Sequence, residues 1–313
     1  MKMCLKKIVR NLFIGSLILL SFGCGKKEEK IEIGVTQIIE HAALDSAVEG
    51  FVEALKDNGF DETKVNFEFQ NAQGDFGTAQ TIAQSFTQSK KDLVLAVSTP
   101  SSQAMYNSSK DIPILITAVT DPKAVGLTGK NISGTNDMPP LDKQVQLIKT
   151  LLPNAKRIGF LYNTSEENSR VFLEKFKAIT DINGLEIVEK GVTNVNEVGQ
   201  ALDILLENVD LLYTPSDNTI TSSISLISEK AKNKNIPMIT SDDVQFNAGG
   251  LATESIDFKS LGYQTGLMAV RILNGEKIEN MPIEGPKDTK LMINQEIAKN
   301  LNVEIPQELL DRL

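Results

Sequence analysis

The chain is predicted to be an α/β protein of two similar lobes, each built on a parallel central sheet. Two observations carry that prediction. From Ile31 onward, short apolar runs alternate with segments of helical periodicity, the pattern of parallel strands covered by helices on both faces. One unit of the pattern also occurs twice. Leu93-Val94-Leu95-Ala96-Val97 breaks into Ser98-Thr99-Pro100-Ser101-Ser102, and Val209-Asp210-Leu211-Leu212-Tyr213 breaks into Thr214-Pro215-Ser216-Asp217-Asn218. In each copy a hydroxyl-rich turn with a proline can start a helix. An Ile-Pro pair, Ile112-Pro113 or Ile236-Pro237, then opens a second apolar strand. With 313 residues, 41% of them hydrophobic, the chain is long enough to bury two such cores.

Taken in order, strands are expected at 31–36, 65–70, 93–97 and 112–117. Helices at 44–58 and 76–88, and one from the Pro100 turn, separate them; Gly59 is a C-cap signal for the first. Residues 118–140, rich in Gly, Pro, Thr and Asp, read as a polar crossing between lobes. A second series follows, with helices at 141–152, 168–181, 195–206 and 219–233 and strands at 157–162, 185–190, 210–213 and 237–240. A helix at 257–273 capped by Asn274-Gly275, a last strand at 288–293, a short helix at 295–301 and a polar tail complete the chain. If each lobe is a closed unit, the 257–273 helix returns to the first lobe and the last strand to the second. The fold class is then two Rossmann-like lobes joined by a three-strand hinge. The expected division is 31–118 plus 254–285 for the N-terminal lobe and 119–253 plus 286–313 for the C-terminal lobe.

Residues 1–23 read as a signal peptide. Lys2, Lys6, Lys7 and Arg10 precede the apolar run 12–20, which is too short for a membrane span. Ser21-Phe22-Gly23-Cys24 is similar to a bacterial lipobox, which implies cleavage before Cys24 and a lipid on its thiol. Residues 24–30 would be a polar tether. The body is thus expected to be extracytoplasmic and lipid-anchored to the cell membrane. Cys4 and Cys24 are the only cysteines, so no disulfide, thiolate metal site or Cys nucleophile is expected in the body. A formal net charge of −9 argues against nucleic acid as a partner.

Catalytic signals are scarce. His41 is the single histidine, and no G-x-S-x-G elbow accompanies it. Gly126-Leu127-Thr128-Gly129-Lys130 has the wrong spacing for a phosphate loop. The carboxylates show no spacing diagnostic of a metal or an acid–base pair. No cofactor or metal is expected. The polar groups instead gather where strands end: Gln37, Ser98 to Ser102, Thr117 to Asp121, Asn163 to Ser169, Ser216 to Thr219, and Ser241-Asp242. In open α/β sheets ligands bind outside that edge. A helix start suits a carboxylate, and an acid from the opposite lobe can pair an ammonium. Together they would hold both charged ends of a free amino acid.

Seven segments sharpen this. They are Gln37-Ile38-Ile39-Glu40-His41-Ala42-Ala43-Leu44-Asp45, Gln70-Asn71-Ala72-Gln73-Gly74-Asp75, Ser98-Thr99-Pro100, Ala118-Val119-Thr120-Asp121-Pro122, Gly134-Thr135-Asn136-Asp137, Leu161-Tyr162-Asn163-Thr164-Ser165-Glu166-Glu167-Asn168-Ser169 and Pro215-Ser216-Asp217-Asn218-Thr219. With these in order, the chain resembles the ABC-transporter substrate-binding lipoproteins of the tryptophan/tyrosine-binding type, which have a type I periplasmic-binding-protein fold. The resemblance implies a binding protein, not an enzyme. It would capture a small solute, an aromatic or other apolar amino acid, by hinge closure and deliver it to an ABC permease and its ATPase. It also implies roles. Thr99, Ser101 and Ser102 with Thr120 would take the ligand carboxylate, with Ser98 a further ligand-binding residue of the same turn. Asp121, Asp217 or Asp242 would take the ammonium. Gln37, Asn163, Glu166, Asn168 and Ser169, with Asn218 and Thr219, would orient the ligand. Tryptophan is absent, so a ring would stack on Phe76, Tyr106, Tyr162 or Tyr213. At Glu254 and Lys259 the chain departs from the family, which tends to have aromatics there; the departure bears on the cleft rim. The alternatives are a sugar, nucleoside or signal-molecule binder on the same fold, of which the sugar is disfavoured by the missing Trp, and a secreted hydrolase, disfavoured by the missing triad and metal cluster.

Overall fold

The computed structural model describes residues 30–287 and 289–313; the signal segment, Cys24 and all of the tether before Lys30 lie outside the described residues. The chain begins β1 (Ile31–Gln37), α1 (Ala42–Asp57), β2 (Val65–Asn71), α2 (Phe76–Gln88), β3 (Leu93–Val97), α3 (Thr99–Ser108), β4 (Ile114–Val119) and β5 (Ile132–Asn136). These strands form one five-stranded sheet in the order β2-β1-β3-β4-β5, all parallel. All five residues of β3, the middle strand, are buried. A strand covered on both faces reads as a continuous apolar run, not an alternating one.

The chain continues through α4 (Leu141–Leu151), β6 (Arg157–Asn163), α5 (Glu167–Ile182), β7 (Glu186–Val192), α6 (Val195–Leu205), β8 (Leu211–Thr214), α7 (Asn218–Ser222), α8 (Ile224–Asn233), β9 (Met238–Thr240), α9 (Asp243–Asn247) and β10 (Ala252–Ser255). After α10 (Phe258–Leu273) come β11 (Lys290–Ile293), α11 (Gln295–Asn300) and α12 (Gln307–Leu310). The second sheet has six strands in the order β11-β10-β9-β8-β6-β7, parallel except for the antiparallel β10–β11 pair. Its strands alternate between two cores. Phe160 and Tyr213 face one and Leu161 and Leu212 the other, as the two-residue period of a strand requires.

Helix α10 packs on α1 of the first lobe. The fit depends on glycine: a Cβ on Gly262 would lie 1.8 Å from the Ala47 carbonyl oxygen, and one on Gly50 2.0 Å from that of Lys259. The two backbones touch where any side chain would hold them apart. Lys259 then bridges to Glu49 and Glu53 on α1 at 3.0 and 2.9 Å.

Several elements differ from the sequence expectation. The 118–140 stretch contains β5, which belongs to the first sheet although it was expected in the C-terminal lobe. Its Ile-Ser-Gly-Thr-Asn sequence reads as a turn. Gly134 sits there at φ +135 because a Cβ would meet the backbone of Ile116 at 2.0 Å. Glu254 and Ser255, expected in the N-terminal lobe, are the end of β10 in the second sheet. The expected 219–233 helix is broken at Ser223 into α7 and α8, and α9 and α12 were not expected. Neither Glu254 nor Lys259 reaches the cleft. Glu254 pairs with Arg312 of the tail, and Lys259 lies on the α1 surface. Among the described residues no helix is long and apolar enough to cross a membrane.

Candidate functional site

The carboxyl ends of the two sheets face each other across a small, tight cavity. The first lobe supplies His41 before α1, Ala118 and Thr120 at the end of β4, Asp137 after β5, and Phe258 at the start of α10. The second supplies Asn168 from α5, Ser216, Asp217 and Asn218 from the β8–α7 turn, and Asp242 before α9. A larger hollow lies along α10, against Ser255, Tyr263, Pro286 and Met292. It touches the end of β10 alone, whereas the smaller cavity takes residues from the strand ends of both sheets and is the better candidate.

The first lobe's edge is strained and under-bonded. Ser98 has φ +77 and Ala118 φ +54, both uncommon for residues other than glycine. The Ala118 kink coincides with a shift in the β4–β5 register. After Ser98, α3 starts with Thr99 and Pro100 and no side-chain cap. The hydroxyls of Ser98, Thr99 and Ser101 are buried and have no partner. Ser102 differs: it donates to the Ser98 carbonyl at 2.7 Å and is used within its own turn. A helix start with free N–H groups and three idle hydroxyls is a seat for an anion.

Two acids meet at the crossing side. Asp137 is 3% exposed, and its Oδ1 has no partner. Burial pushes its carboxyl up to about 7; the Thr120 hydroxyl opposes the rise, and the charge of Asp242 adds to it. Burial likewise pushes Asp242 up to about 6, against its bond from the Gln245 N–H. Neither has a cationic partner among the described residues. Two buried carboxyls competing for charge favour a cation between them.

The second lobe's edge is largely bonded within itself, with Asn168 Oδ1, Thr214 Oγ1 and Gln245 Oε1 left without a partner. Glu166 accepts from the Asn218 N–H and Nδ2 and from the Thr219 N–H and hydroxyl. Asp217 accepts from the Asn163 N–H at 2.7 Å, the Ser169 hydroxyl at 2.6 Å and the Ile220 N–H at 3.0 Å. Burial, and for Glu166 the neighbouring Asp217 charge, push both carboxyls up, while these donors pull down. Asn163 donates to the Thr219 hydroxyl at 2.8 Å. So Asn163, Glu166, Ser169, Asp217 and Thr219 spend their polar atoms tying the β6–α5 turn to the β8–α7 turn. Of the second lobe's sequence-derived candidates, Asn168, Asp217, Asn218 and Asp242 line the cavity.

Other candidates lie elsewhere. Gln37 donates to Asp45 at 2.8 Å. Asp121 pairs with Lys175 of α5 at 2.5 Å and accepts from the Ala124 N–H. Phe76 is on the surface, Tyr106 packs beside the first core, Tyr162 beside the second, and Tyr213 is buried against Phe176. The rings at the cavity are Phe258 and His41. Sequence reasoning missed Phe258 because it opens a helix expected only to pack. It passed over Asp137 because β5, which carries it to the edge, was not read.

The lobes touch. His41 Nδ1 accepts from the Leu44 N–H at 3.5 Å, and burial lowers its pKa to about 4. The ring is therefore neutral with the proton on Nε2, which faces Asn218 Oδ1 across the cleft at 3.4 Å. Gln103 donates to Glu167 at 2.7 Å, and Lys175 meets Asp121. Glu167, Val171 and Lys175 follow one face of α5, and Val171 packs against the first lobe's core.

The chain matches the model of a family described as ABC transporter substrate binding protein over residues 32–312. It belongs to that family. This substrate-binding protein is 43% identical to a tyrosine-binding protein of Clostridioides difficile, over 89% of its own length and 82% of the relative's. A Streptococcus pneumoniae ABC domain in complex with L-Trp is 33% identical, with a TM-score of 0.87 over 91% of this chain and 98% of that one. A ligand-free, open substrate binding protein with adhesive properties from Clostridium difficile is 46% identical, with a TM-score of 0.67 over 88% and 96%. The more similar sequence thus gives the poorer superposition. Lobes brought together, as in a ligand complex, account for that inversion and agree with the three inter-lobe contacts.

Proposed function

We propose that this substrate-binding protein captures an aromatic amino acid between its lobes and hands it to an ABC permease driven by its ATPase. The ligand carboxylate would sit at the α3 start with the Ser98, Thr99 and Ser101 hydroxyls and Thr120. The ammonium would lie between Asp137 and Asp242. The ring would occupy the space beside Leu44, His41 and Phe258. The observation that carries this reading is the set of buried polar atoms without partners, which includes three hydroxyls at the α3 start and Asp137 Oδ1. The complementary ligand has a carboxylate and an ammonium on one carbon. The relatives that bind tyrosine and L-Trp support the aromatic side chain.

The protein would work outside the cytoplasm, held to the membrane by a lipid on Cys24. Closure brings contacts from both lobes onto the ligand, so binding shifts the open–closed equilibrium by its differential affinity. A thermal-shift screen of the mature protein against the amino acids, nucleosides and common sugars tests the reading. Tyrosine or tryptophan at a hundred to a thousand times its Kd should add about 3–4 kcal/mol and raise Tm by several degrees. A shift with sugars or nucleosides but with no amino acid would sink it.

A further inference from the structure

Asn168 stands in the first turn of α5 and is 3% exposed. Its Nδ2 faces three acceptors of its own lobe: Glu166 Oε2 at 3.2 Å, the Ser169 hydroxyl at 3.3 Å and the Ser216 carbonyl at 3.2 Å. The Ser169 proton goes to Asp217 at 2.6 Å, so that hydroxyl offers Asn168 a lone pair. Three acceptors on one side fix which end of the amide is nitrogen. The Oδ1 end is turned from them, buried and without a partner, on a side chain that lines the cavity.

Its place relative to the two acids also matters. Asp242 follows β9 and Asn168 follows β6, with β8 between them. At about 4.8 Å per strand, those strand ends are about 10 Å apart, the scale of an aromatic amino acid from its ammonium to the far edge of its ring. We propose that Asn168 Oδ1 reads a hydrogen-bond donor on the ligand's ring, so that the site selects tyrosine or tryptophan over phenylalanine. This rests on the function proposed above. A phenol O–H or an indole N–H satisfies the acceptor in the closed cleft. Phenylalanine leaves it buried and unpaired, and a site built around a polar partner rejects a ligand that lacks it.

Titration calorimetry of the wild-type protein with L-Tyr, L-Trp and L-Phe tests this without any substitution. Phenylalanine should bind about ten- to a hundredfold more weakly than the better of the other two. Asn168→Ala should lower tyrosine and tryptophan affinity by a similar factor and leave phenylalanine within about twofold, collapsing the ratio. Equal binding of all three by the wild type would overturn the assignment, and so would an equal loss for all three in the variant. Binding of none of them overturns the proposed function itself, a result separate from either of those.

Discussion

Two turns that look alike in sequence do opposite jobs. Ser98 to Ser102 and Ser216 to Thr219 both follow an apolar strand and both start a helix. In the first, three hydroxyls are buried and idle. In the second, Asp217 accepts three hydrogen bonds, two from the β6–α5 turn and one from its own helix start. One turn keeps buried hydroxyls without partners; the other spends most of its polar atoms on the protein itself. Polar residues at a sheet edge therefore do not by themselves mark a ligand contact. What marks one is a buried polar atom with nothing to bond.

The largest expected effect falls on the filled turn. Asp217→Ala leaves the Asn163 and Ile220 N–H groups and the Ser169 hydroxyl without their acceptor. It should cost about 3 kcal/mol or more of stability in urea unfolding. A loss below about 1 kcal/mol would erase the contrast between the turns.

Next comes Asp137. Asp137→Asn should weaken ligand binding about ten- to a hundredfold while leaving the ligand-free protein as stable or more so. Its pH dependence has a definite sign. With the folded carboxyl at about 7 and an unfolded value of about 3.9, the folded state holds the extra proton between those limits. Stability from this group is therefore lost as pH rises through about 4 to 7. An ammonium prefers the carboxylate, so ligand affinity should rise from pH 5 to 8, with proton release on binding. Calorimetry in two buffers of different ionisation enthalpy measures that release. It should shrink in Asp137→Asn, and an unchanged release would remove Asp137 from the ammonium site.

The open turn should respond more mildly. Thr99→Val and Ser101→Ala each delete an idle hydroxyl, so melting of the ligand-free protein should hardly move. Affinity should fall about three- to tenfold. A fall in stability equal to the fall in binding energy would make these hydroxyls structural, like those of the second turn.

The smallest effect is expected outside both turns. Lys175→Ala removes the ion pair between α5 and Asp121. Lys175 is 46% exposed, so the pair should contribute only about 0.2–1 kcal/mol, and less at high salt. Affinity should drop a fewfold with the ligand contacts intact, and scattering should show a more open ligand-free population. No change in either would mean that the pair does not hold the lobes together.

Much of the architecture was legible in the chain. The continuous run of β3, the stripe along α1 and the paired Ile-Pro strands are local patterns, and local patterns survive into the fold. β5 was not legible, because Gly134 serves a backbone approach to Ile116 that no neighbour in sequence announces. The break of the 219–233 helix at Ser223 was equally silent. Of the contacts proposed above, Ser98, Thr99, Ser101, Thr120, Asn168 and Asp242 could be picked out as polar groups at strand ends. Phe258 could not, because no local pattern separates a ring at the start of α10 that lines the cavity from one that only packs.

The sequence by itself determined most of the alternation of strands and helices, β5, β10 and the short helices α7, α9 and α12 excepted, and the edge at which polar groups collect, since both follow from periodicity and turn chemistry along the chain. The tertiary structure decided which of those groups are free. Asn163 and Asp217 are 54 residues apart, and Glu166 and Asn218 are 52 apart. Hydrogen bonds over such spans use up one set of side chains and leave another unpaired, and only the assembled sheet edges bring the donors within reach.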